Sequence, residues 1–446
     1  MHDVVNVKPV RPRPGGKTVR ALRCRRPAFG KEPVLVPPQE GIAPLLVAAA
    51  MGLCNAWGPY EQTGVTVGHV IALVIAPVCL AAAWRWKMAR WNIILLCFWL
   101  LASAFTEIMA DDSAHDAVLV LSRPFFVLVS FCGAMWALQC TPSVARAYVV
   151  TFVAGLVLNI AIFLRSNPSA DSWKYGYGPV VSLAVVLLAL VLLGRQKQSA
   201  AILLMISMAF VNLFQGFRSE FMVVCMAGAM AILTGRRGLR SDWKRVVLVV
   251  VGLISLAAVV PTAYGNLASS GRLGTEQQYR WERQSQVDGG VLVGARPEIA
   301  ASYVIVKESP LVGRGFTPEV SYRTRSEFLG KLQAGDADFN ERRENYYFGK
   351  GLYLHSVLFQ LWAETGVAVI PGILLPVLFV LLALVAAVRQ GSRPYALLFA
   401  FLCSQLAWDL LFSPWPRLEG LYLGTAAAAA VLYLGSWSRS GPASPA

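Results

Sequence analysis

The stretch Val367–Val388, VAVIPGILLPVLFVLLALVAAV, contains 22 residues and no charged side chain. A helix needs about 20 predominantly apolar residues to cross the hydrocarbon core of a bilayer. Similar apolar runs recur along the chain, so the sequence predicts an all-α polytopic membrane protein with about 12 transmembrane helices. The other predicted runs are Gly41–Trp57, Val65–Ala83, Asn92–Met109, Ala117–Leu138, Ala147–Leu164, Pro179–Leu193, Ser199–Phe214, Phe221–Leu233, Val246–Tyr264, Tyr395–Phe412 and Gly420–Leu434.

The composition of the whole chain agrees with this class. Of 446 residues, 56% are hydrophobic and only 15% are charged, whereas a soluble domain carries about 25% charged residues. A water-soluble globule is therefore excluded. The eight cysteines form no CxxC or Cys/His cluster, so the sequence predicts no metal site and no cofactor.

The distribution of Lys and Arg predicts the orientation. With the N-terminus in the cytoplasm, the inner segments hold 23 Lys and Arg residues and the short outer segments hold five, as the positive-inside rule requires. The net charge of +15 is then a topology signal, and no nucleic-acid partner is predicted. The predicted organisation is a basic cytoplasmic tail 1–40, transmembrane helices 41–264, a periplasmic loop 265–352, a segment 353–436 with the last spans, and a cytoplasmic tail 437–446.

The long outer segment 265–352 has the features of a functional loop. A structureless connection of this length is unusual unless it is functional. Within it, Tyr322–Leu332 places apolar side chains among charges, which predicts a short surface helix. The loop is therefore expected to be partly helical and to roof an outward-facing site.

An apolar stretch is interrupted by Gln215–Glu220, which contains two charges. A charge at membrane depth costs at least a few kcal/mol and normally faces a partner or a water-filled cavity. Arg218 could cap a turn through Glu220 or a lipid phosphate. Alternatively, it could bind an anion in an outward-facing site, with Arg123 and Arg165 at comparable depth. Arginine suits a diphosphate because its planar fork donates two parallel hydrogen bonds.

A second arginine-bearing segment begins at Arg296 and ends in a turn. Pro297 predicts the start of a helix, and Pro310–Gly315 (PLVGRG) predicts the turn that follows it. Glycines on both sides of Arg314 allow the backbone to approach a ligand closely. A solvated turn arginine is the alternative.

The segment Tyr353–Gly366 joins the outer loop to an apolar helix and contains His355 and Glu364. On an unbroken helix Glu364, nine residues later, would face away from His355, so we expect Glu364 to pair with an arginine elsewhere. Asp409 lies near the outer end of its apolar run, at a depth that suits a pairing with His355 or an arginine. A hydrogen-bonded structural role is the alternative for His355.

The pattern of His355–Gly366, His-Ser-x-Leu-(x5)-Glu-x-Gly, resembles the His-Asn-x-x-Leu…Glu-x-Gly motif of the O-antigen ligase and polymerase superfamily. Ser356 stands where that motif usually has asparagine. Arg296 with Pro310–Gly315 is similar to the arginine helix and Pro-Leu-x-Gly-x-Gly turn of the same superfamily. Phe217-Arg218-Ser219 resembles its Ser-Arg-Gly motif. The resemblance covers about residues 290–375, together with Arg218, and favours the O-antigen ligase branch.

The resemblance implies an enzyme of the bacterial inner membrane that works on the periplasmic side of the bilayer. It would transfer O-antigen polysaccharide from undecaprenyl pyrophosphate to a sugar hydroxyl of lipid A–core. Direct attack from the face opposite the pyrophosphate would invert the anomeric carbon, and the lack of a carboxylate cluster in the sequence predicts metal independence. His355 would be the general base, because histidine's ordinary pKa is about 6.5. The residues expected to bind the pyrophosphate are Arg218, Arg296 and Arg314, and those expected to support the site are Glu364, Asp409 and Tyr353.

The sequence also permits other functions. An O-antigen polymerase and an O-linked protein oligosaccharyltransferase share the donor and differ in the acceptor. A secondary transporter or flippase belongs to a different class, and many helices with intramembrane arginines would suit it. The sequence contains no obvious pair of Gly/Pro-broken helices at equivalent positions of two halves, which disfavours alternating access.

Overall fold

The structure is a computed structural model. The part of the chain that it describes is helical and contains no β-strand. The described residues are 41–58, 65–110, 113–166, 172–234, 262–272, 274–285, 297–316, 320–335, 354, 356–413 and 419–440, with the single positions 247, 251 and 255. Most of the predicted run Val246–Tyr264 therefore lies outside them.

The helices of the first half follow the predicted apolar runs. They are α1 (Ile42–Leu53), α2 (Val67–Val74), α3 (Ala76–Trp84), α4 (Lys87–Ala110), α5 (Ala114–Gln139), α6 (Pro142–Ser166), α7 (Gly178–Gly194), α8 (Gln198–Phe214) and α9 (Arg218–Thr234). A short 3-10 turn, Cys54–Ala56, extends α1, and a π-turn, Trp173–Tyr177, precedes α7. Residues 262–269 are also helical.

The second half contains the outer-segment helices and the last apolar helices. They are α10 (Thr275–Ser285), α11 (Pro297–Glu308), α12 (Tyr322–Gly335), α13 (Val357–Thr365), α14 (Val369–Gln390), α15 (Arg393–Phe412) and α16 (Glu419–Ser440). The predicted helix starting near Pro297 and the predicted surface helix at Tyr322–Leu332 are confirmed as α11 and α12.

Six described helices are long and apolar enough to cross a membrane, namely α4, α5, α6, α14, α15 and α16. The α2–α3 pair adds a seventh if the bent pair counts as one span, and α1, α7 and α8 are shorter apolar helices. The protein is therefore of the helical membrane class. The number of about 12 spans stays a prediction.

The prediction of one helix over Val65–Ala83 is wrong, because α2 and α3 meet at an angle of 76°. Thr66 caps α2 through a capping box with His69. Pro77 lies in the first turn of α3, where the missing N–H of proline is tolerated. The same residue cannot continue the hydrogen bonding of α2, so the apolar run divides at Ile75.

Two hydrophobic cores position the candidate site. The larger core is centred on α5, which is the most deeply buried of the candidate spans and packs against α4 and α16. The smaller core joins the outer-segment helices α11 and α12 to α13 through the buried side chains of Ile305, Val306, Phe328, Leu354 and Ala363. Helices α11 and α12 are therefore anchored to α13.

Candidate functional site

Two of the three segments that carry the resemblance, the turn Pro310–Gly315 and the end of His355–Gly366, lie against each other in the structure. The backbone N–H groups of Arg314 and Gly315 donate to the carbonyl oxygens of Ala363 and Glu364, over N–O distances of 2.9 and 3.0 Å. The N–H of Val367 donates in the other direction to the carbonyl of Pro310, at 3.0 Å. We call this pairing of Pro310–Gly315 with Ala363–Val367 the turn–helix junction.

Two glycines make the turn–helix junction sterically possible. Gly313 has a φ of +80° and Gly366 a φ of +81°, conformations that residues with a Cβ rarely adopt. A Cβ on Gly313 would lie 2.4 Å from the carbonyl oxygen of Glu364, and one on Gly366 would lie 2.2 Å from that of Leu311. The two backbone segments can therefore approach each other this closely only because both positions lack a side chain.

A buried ion pair connects α5 to the turn–helix junction. Arg123 of α5 contacts the Glu364 carboxylate through its Nη1, and the two side chains are 8% and 0% exposed. Gln360 Nε2 donates to the other carboxylate oxygen of Glu364 at 3.1 Å. The Arg123 Cζ lies 5.8 Å from the ring centroid of Phe316, the residue after the turn. The prediction that Glu364 pairs with an arginine elsewhere is confirmed.

The same ion pair changes the interpretation of the predicted arginine cluster. Arg123 is buried against Glu364, so it does not belong to an open, outward-facing group of guanidiniums. Arg165 lies in the last turn of α6 and is exposed. Arg123 and Arg165 therefore differ in burial, although their predicted depths are comparable.

Arg314 lies on the more accessible side of the turn–helix junction. Its side chain is 34% exposed, and its Nη2 lies 3.3 Å from Oε1 of Glu308 at the end of α11. The backbone on both sides of Arg314 is fixed by the junction, so the position of its Cα is set by α13. The structure therefore presents this guanidinium from a rigid turn.

Arg218 is the first residue of α9, three residues before the start of the predicted run Phe221–Leu233. Its Cζ lies 4.4 Å from the ring centroid of Tyr264. Glu220 is 1% exposed, and residues two apart on a helix point about 200° apart. The geometry of α9 therefore disfavours the alternative in which Arg218 caps its turn through Glu220.

The C-terminal end of α15 connects α9 and the start of α13. Asp409 accepts hydrogen bonds from Gln405 Nε2 and Ser413 Oγ, both at 2.9 Å. The hydroxyl of Ser356, the N-cap of α13, donates to the carbonyl of Leu410 at 2.9 Å. Helix α15 also packs along α9, so it joins the element that carries Arg218 to the start of α13.

Three predicted site residues, Arg296, Tyr353 and His355, lie outside the described residues. The side chains on either side of His355 in sequence are fully buried: Leu354 lies in the smaller core and Ser356 caps α13. Since α13 begins at Val357, the assumption of one unbroken helix over His355–Glu364 is wrong. Helical periodicity therefore does not relate the directions of these two residues.

Several residues that fix the site did not emerge from the sequence. The indole N–H of Trp362 donates to the carbonyl of Pro310 at 2.7 Å, and Thr106 Oγ1 of α4 donates to that of Val312 at 2.7 Å. Neither contact has a sequence signal, because both partners are distant in the chain. Gln360 does have one, since it lies four residues before Glu364 and therefore on the same helix face.

A buried polar network near Glu220 was also missed. The indole N–H of Trp173 donates to Asn212 Oδ1 at 3.0 Å, and Asn212 Nδ2 donates to Ser182 Oγ at 3.1 Å. The side chains of Ser182 and Asn212 are fully buried. The network ties the π-turn and α7 to the end of α8, the helix that precedes α9.

The chain matches no protein-family profile and has no significant similarity to any curated protein. Within the described ranges, no group of three His, Cys, Asp or Glu side chains could hold a metal ion. The metal independence of the site stays a prediction.

Proposed function

We propose that the protein is a metal-independent, inverting glycosyltransferase that transfers O-antigen polysaccharide from undecaprenyl pyrophosphate to a sugar hydroxyl of lipid A–core. In this proposal the chain lies in the bacterial inner membrane with both termini in the cytoplasm. The site opens toward the periplasm and the outer leaflet of the bilayer, from which donor and acceptor both enter.

The turn–helix junction is the observation that carries the proposal. The segments that resemble the superfamily's arginine turn and histidine motif are separate in sequence, yet they are joined by four backbone hydrogen bonds, two of which share the N–H of Val367. If the resemblance were accidental, there would be no reason for the two segments to be in contact. Their contact supports the interpretation that they form parts of one site.

The chemistry requires two tasks, because a glycosyl diphosphate already carries a good leaving group. As the bond between the anomeric carbon and the phosphate oxygen breaks, Arg218, Arg296 and Arg314 stabilise the departing pyrophosphate through preorganised positive charge. His355 accepts the proton of the acceptor hydroxyl as its oxygen bonds to the anomeric carbon. Attack from the face opposite the pyrophosphate inverts that carbon.

In this mechanism Glu364 and Asp409 act by holding other parts of the site in position. Glu364 is paired with Arg123 and Gln360, so its proposed role is to hold α13 and the Arg314 turn in register. Asp409 belongs to the end of α15 to which Ser356 is bonded, so it is proposed to support the segment that carries Tyr353 and His355.

The first test is direct. Purified wild-type protein in proteoliposomes, supplied with polysaccharide on undecaprenyl pyrophosphate and with lipid A–core, is expected to produce the slower-migrating conjugate on a gel. Free lipid-linked chains that grow without appearing on lipid A–core would identify the polymerase alternative. Transfer to protein would identify the oligosaccharyltransferase alternative.

Replacing Arg218 by lysine is expected to raise the KM for the lipid-linked donor about tenfold or more, because lysine keeps the charge and loses the two-pronged fork. The measurement is the steady-state rate of conjugate formation against donor concentration. Arg165→Lys, at an exposed arginine of α6, is the matched control and should leave KM unchanged. Equal donor KM values for Arg218→Lys and wild type would favour a structural role for Arg218.

A transporter remains the candidate from a different class. The chain does contain a broken helix pair, α2–α3, and α13 is separated from α14 around Gly366. The first break falls in the second predicted span and the other just before the tenth, and these are not equivalent positions of two six-helix halves. Inverted-repeat transporters have their broken helices at corresponding positions, so this architecture favours the one-sided enzyme.

A further inference from the structure

Arg218 is held by an aromatic contact as well as by its helix. Its Cζ lies over the ring of Tyr264, 4.4 Å from the centroid. Tyr264 is 8% exposed, so the ring itself has little freedom to move. A cation over an aromatic face is attracted by the negative face of the ring, and the attraction is stronger where water is excluded.

The ring of Tyr264 is supported in turn by the outer segment. Trp281 of α10 packs edge-on against it, with ring centroids 5.8 Å apart and an interplanar angle of 64°, a geometry that aromatic pairs prefer. Trp281 also covers Gly265, where an added Cβ would lie 2.3 Å from the indole Cζ2. The side chains of Arg218, Tyr264 and Trp281 therefore form one packed cluster, which we call the arginine platform.

This arrangement suits an arginine that must bind an anion. An aromatic ring attracts the guanidinium charge through its π-face, so it orients the side chain without itself accepting a conventional hydrogen bond from the N–H fork. Arg218 is half-buried. A preorganised donor does not have to be reoriented when the ligand binds, which favours affinity.

We propose that Tyr264 is a positioning residue that holds Arg218 for the pyrophosphate of the lipid-linked donor, and that Trp281 secures Tyr264 from the outer segment. The inference rests on the proposed function, because it takes Arg218 as a pyrophosphate ligand. It adds a connection between the outer segment and donor binding, since α10 contributes to the platform although Arg218 belongs to α9.

The test uses full-length protein in detergent micelles, with undecaprenyl pyrophosphate as the binding probe and glycan transfer as the second readout. Tyr264→Leu removes the ring and is expected to raise the Kd for the probe and the KM for the donor roughly tenfold, with kcat changed much less. Tyr264→Phe keeps the ring and should restore both values. Trp281→Leu should produce a smaller rise in the same direction.

Tyr279→Leu is the matched control, because Tyr279 is on the same helix as Trp281 and is 62% exposed. Wild-type affinity in Tyr264→Leu, or equal losses in Tyr264→Phe and Tyr264→Leu, would overturn the role of the ring. If Tyr264→Leu does not fold, Trp281→Leu decides the question by the same two readouts. Wild-type protein that neither binds the probe nor transfers glycan would instead overturn the proposed function.

Discussion

Arg123→Met is expected to lower the free energy of unfolding by about 3–5 kcal/mol, because it leaves the fully buried carboxylate of Glu364 without its ion-pair partner. Gln360 would still donate to one carboxylate oxygen, but a neutral amide does not compensate a buried charge. The measurement is thermal or denaturant unfolding of the purified protein in detergent. Glycan transfer should fall in the same variant, because Glu364 carries one side of the turn–helix junction.

Removing both charges provides a sharper test of the same pair. The double variant Arg123→Met/Glu364→Leu should be more stable than either single variant, since apolar residues of similar volume often replace a buried ion pair at little cost. Arg165→Met, at an exposed arginine, should shift stability by less than about 0.5 kcal/mol. Additive losses in the double variant would contradict the pairing of Arg123 with Glu364.

Gly366→Ala is expected to disrupt the turn–helix junction and to abolish measurable transfer. The residue has a φ of +81° and a ψ of −172°, a region that is essentially restricted to glycine and costs other residues about 1–3 kcal/mol. The added Cβ would also lie 2.2 Å from the carbonyl oxygen of Leu311. Backbone at that distance cannot yield as a flexible side chain would, so Pro310–Gly315 must separate from α13.

Gly330→Ala is the matched control for that substitution. Gly330 lies within α12, and an added Cβ there would meet no heavy atom within 4 Å. Alanine should leave transfer unchanged and stabilise the helix by up to about 1 kcal/mol. Unfolding curves and transfer rates of the two variants, measured side by side, check the prediction. Wild-type transfer by Gly366→Ala would show that the junction is not needed for activity.

Local patterns in the sequence predict much of the fold. Apolar runs place most helices to within a few residues, and Pro297 marks the start of α11 as a proline at the first helical position should. The bend between α2 and α3 was missed because hydropathy averages over a window and does not register Pro77. The start of α13 was missed for a related reason: Ser356 acts as its N-cap through a hydrogen bond from the N–H of Phe359, which no apolar period reveals.

The candidate site was predictable only in part. The isolation of Glu364 in an apolar segment indicates an ionic partner, because an unpaired buried charge is costly. Which arginine fills that role depends on the packing of α13 against the rest of the bundle, and Arg123 is 241 residues away. Likewise, the ring of Tyr264 beside Arg218 and the indole of Trp362 beside Pro310 follow from tertiary contacts that periodicity cannot supply.

In the proposed mechanism His355 deprotonates the acceptor hydroxyl while arginines hold a lipid-linked pyrophosphate. The decisive measurement is the rate of glycan transfer to lipid A–core by His355→Ala in proteoliposomes, with His115→Ala, an exposed histidine at the start of α5, as the control. The proposal predicts a fall in kcat of about 10²–10⁴-fold for His355→Ala, an unchanged donor KM, and full activity in the control. Transfer by His355→Ala at the wild-type rate would contradict it.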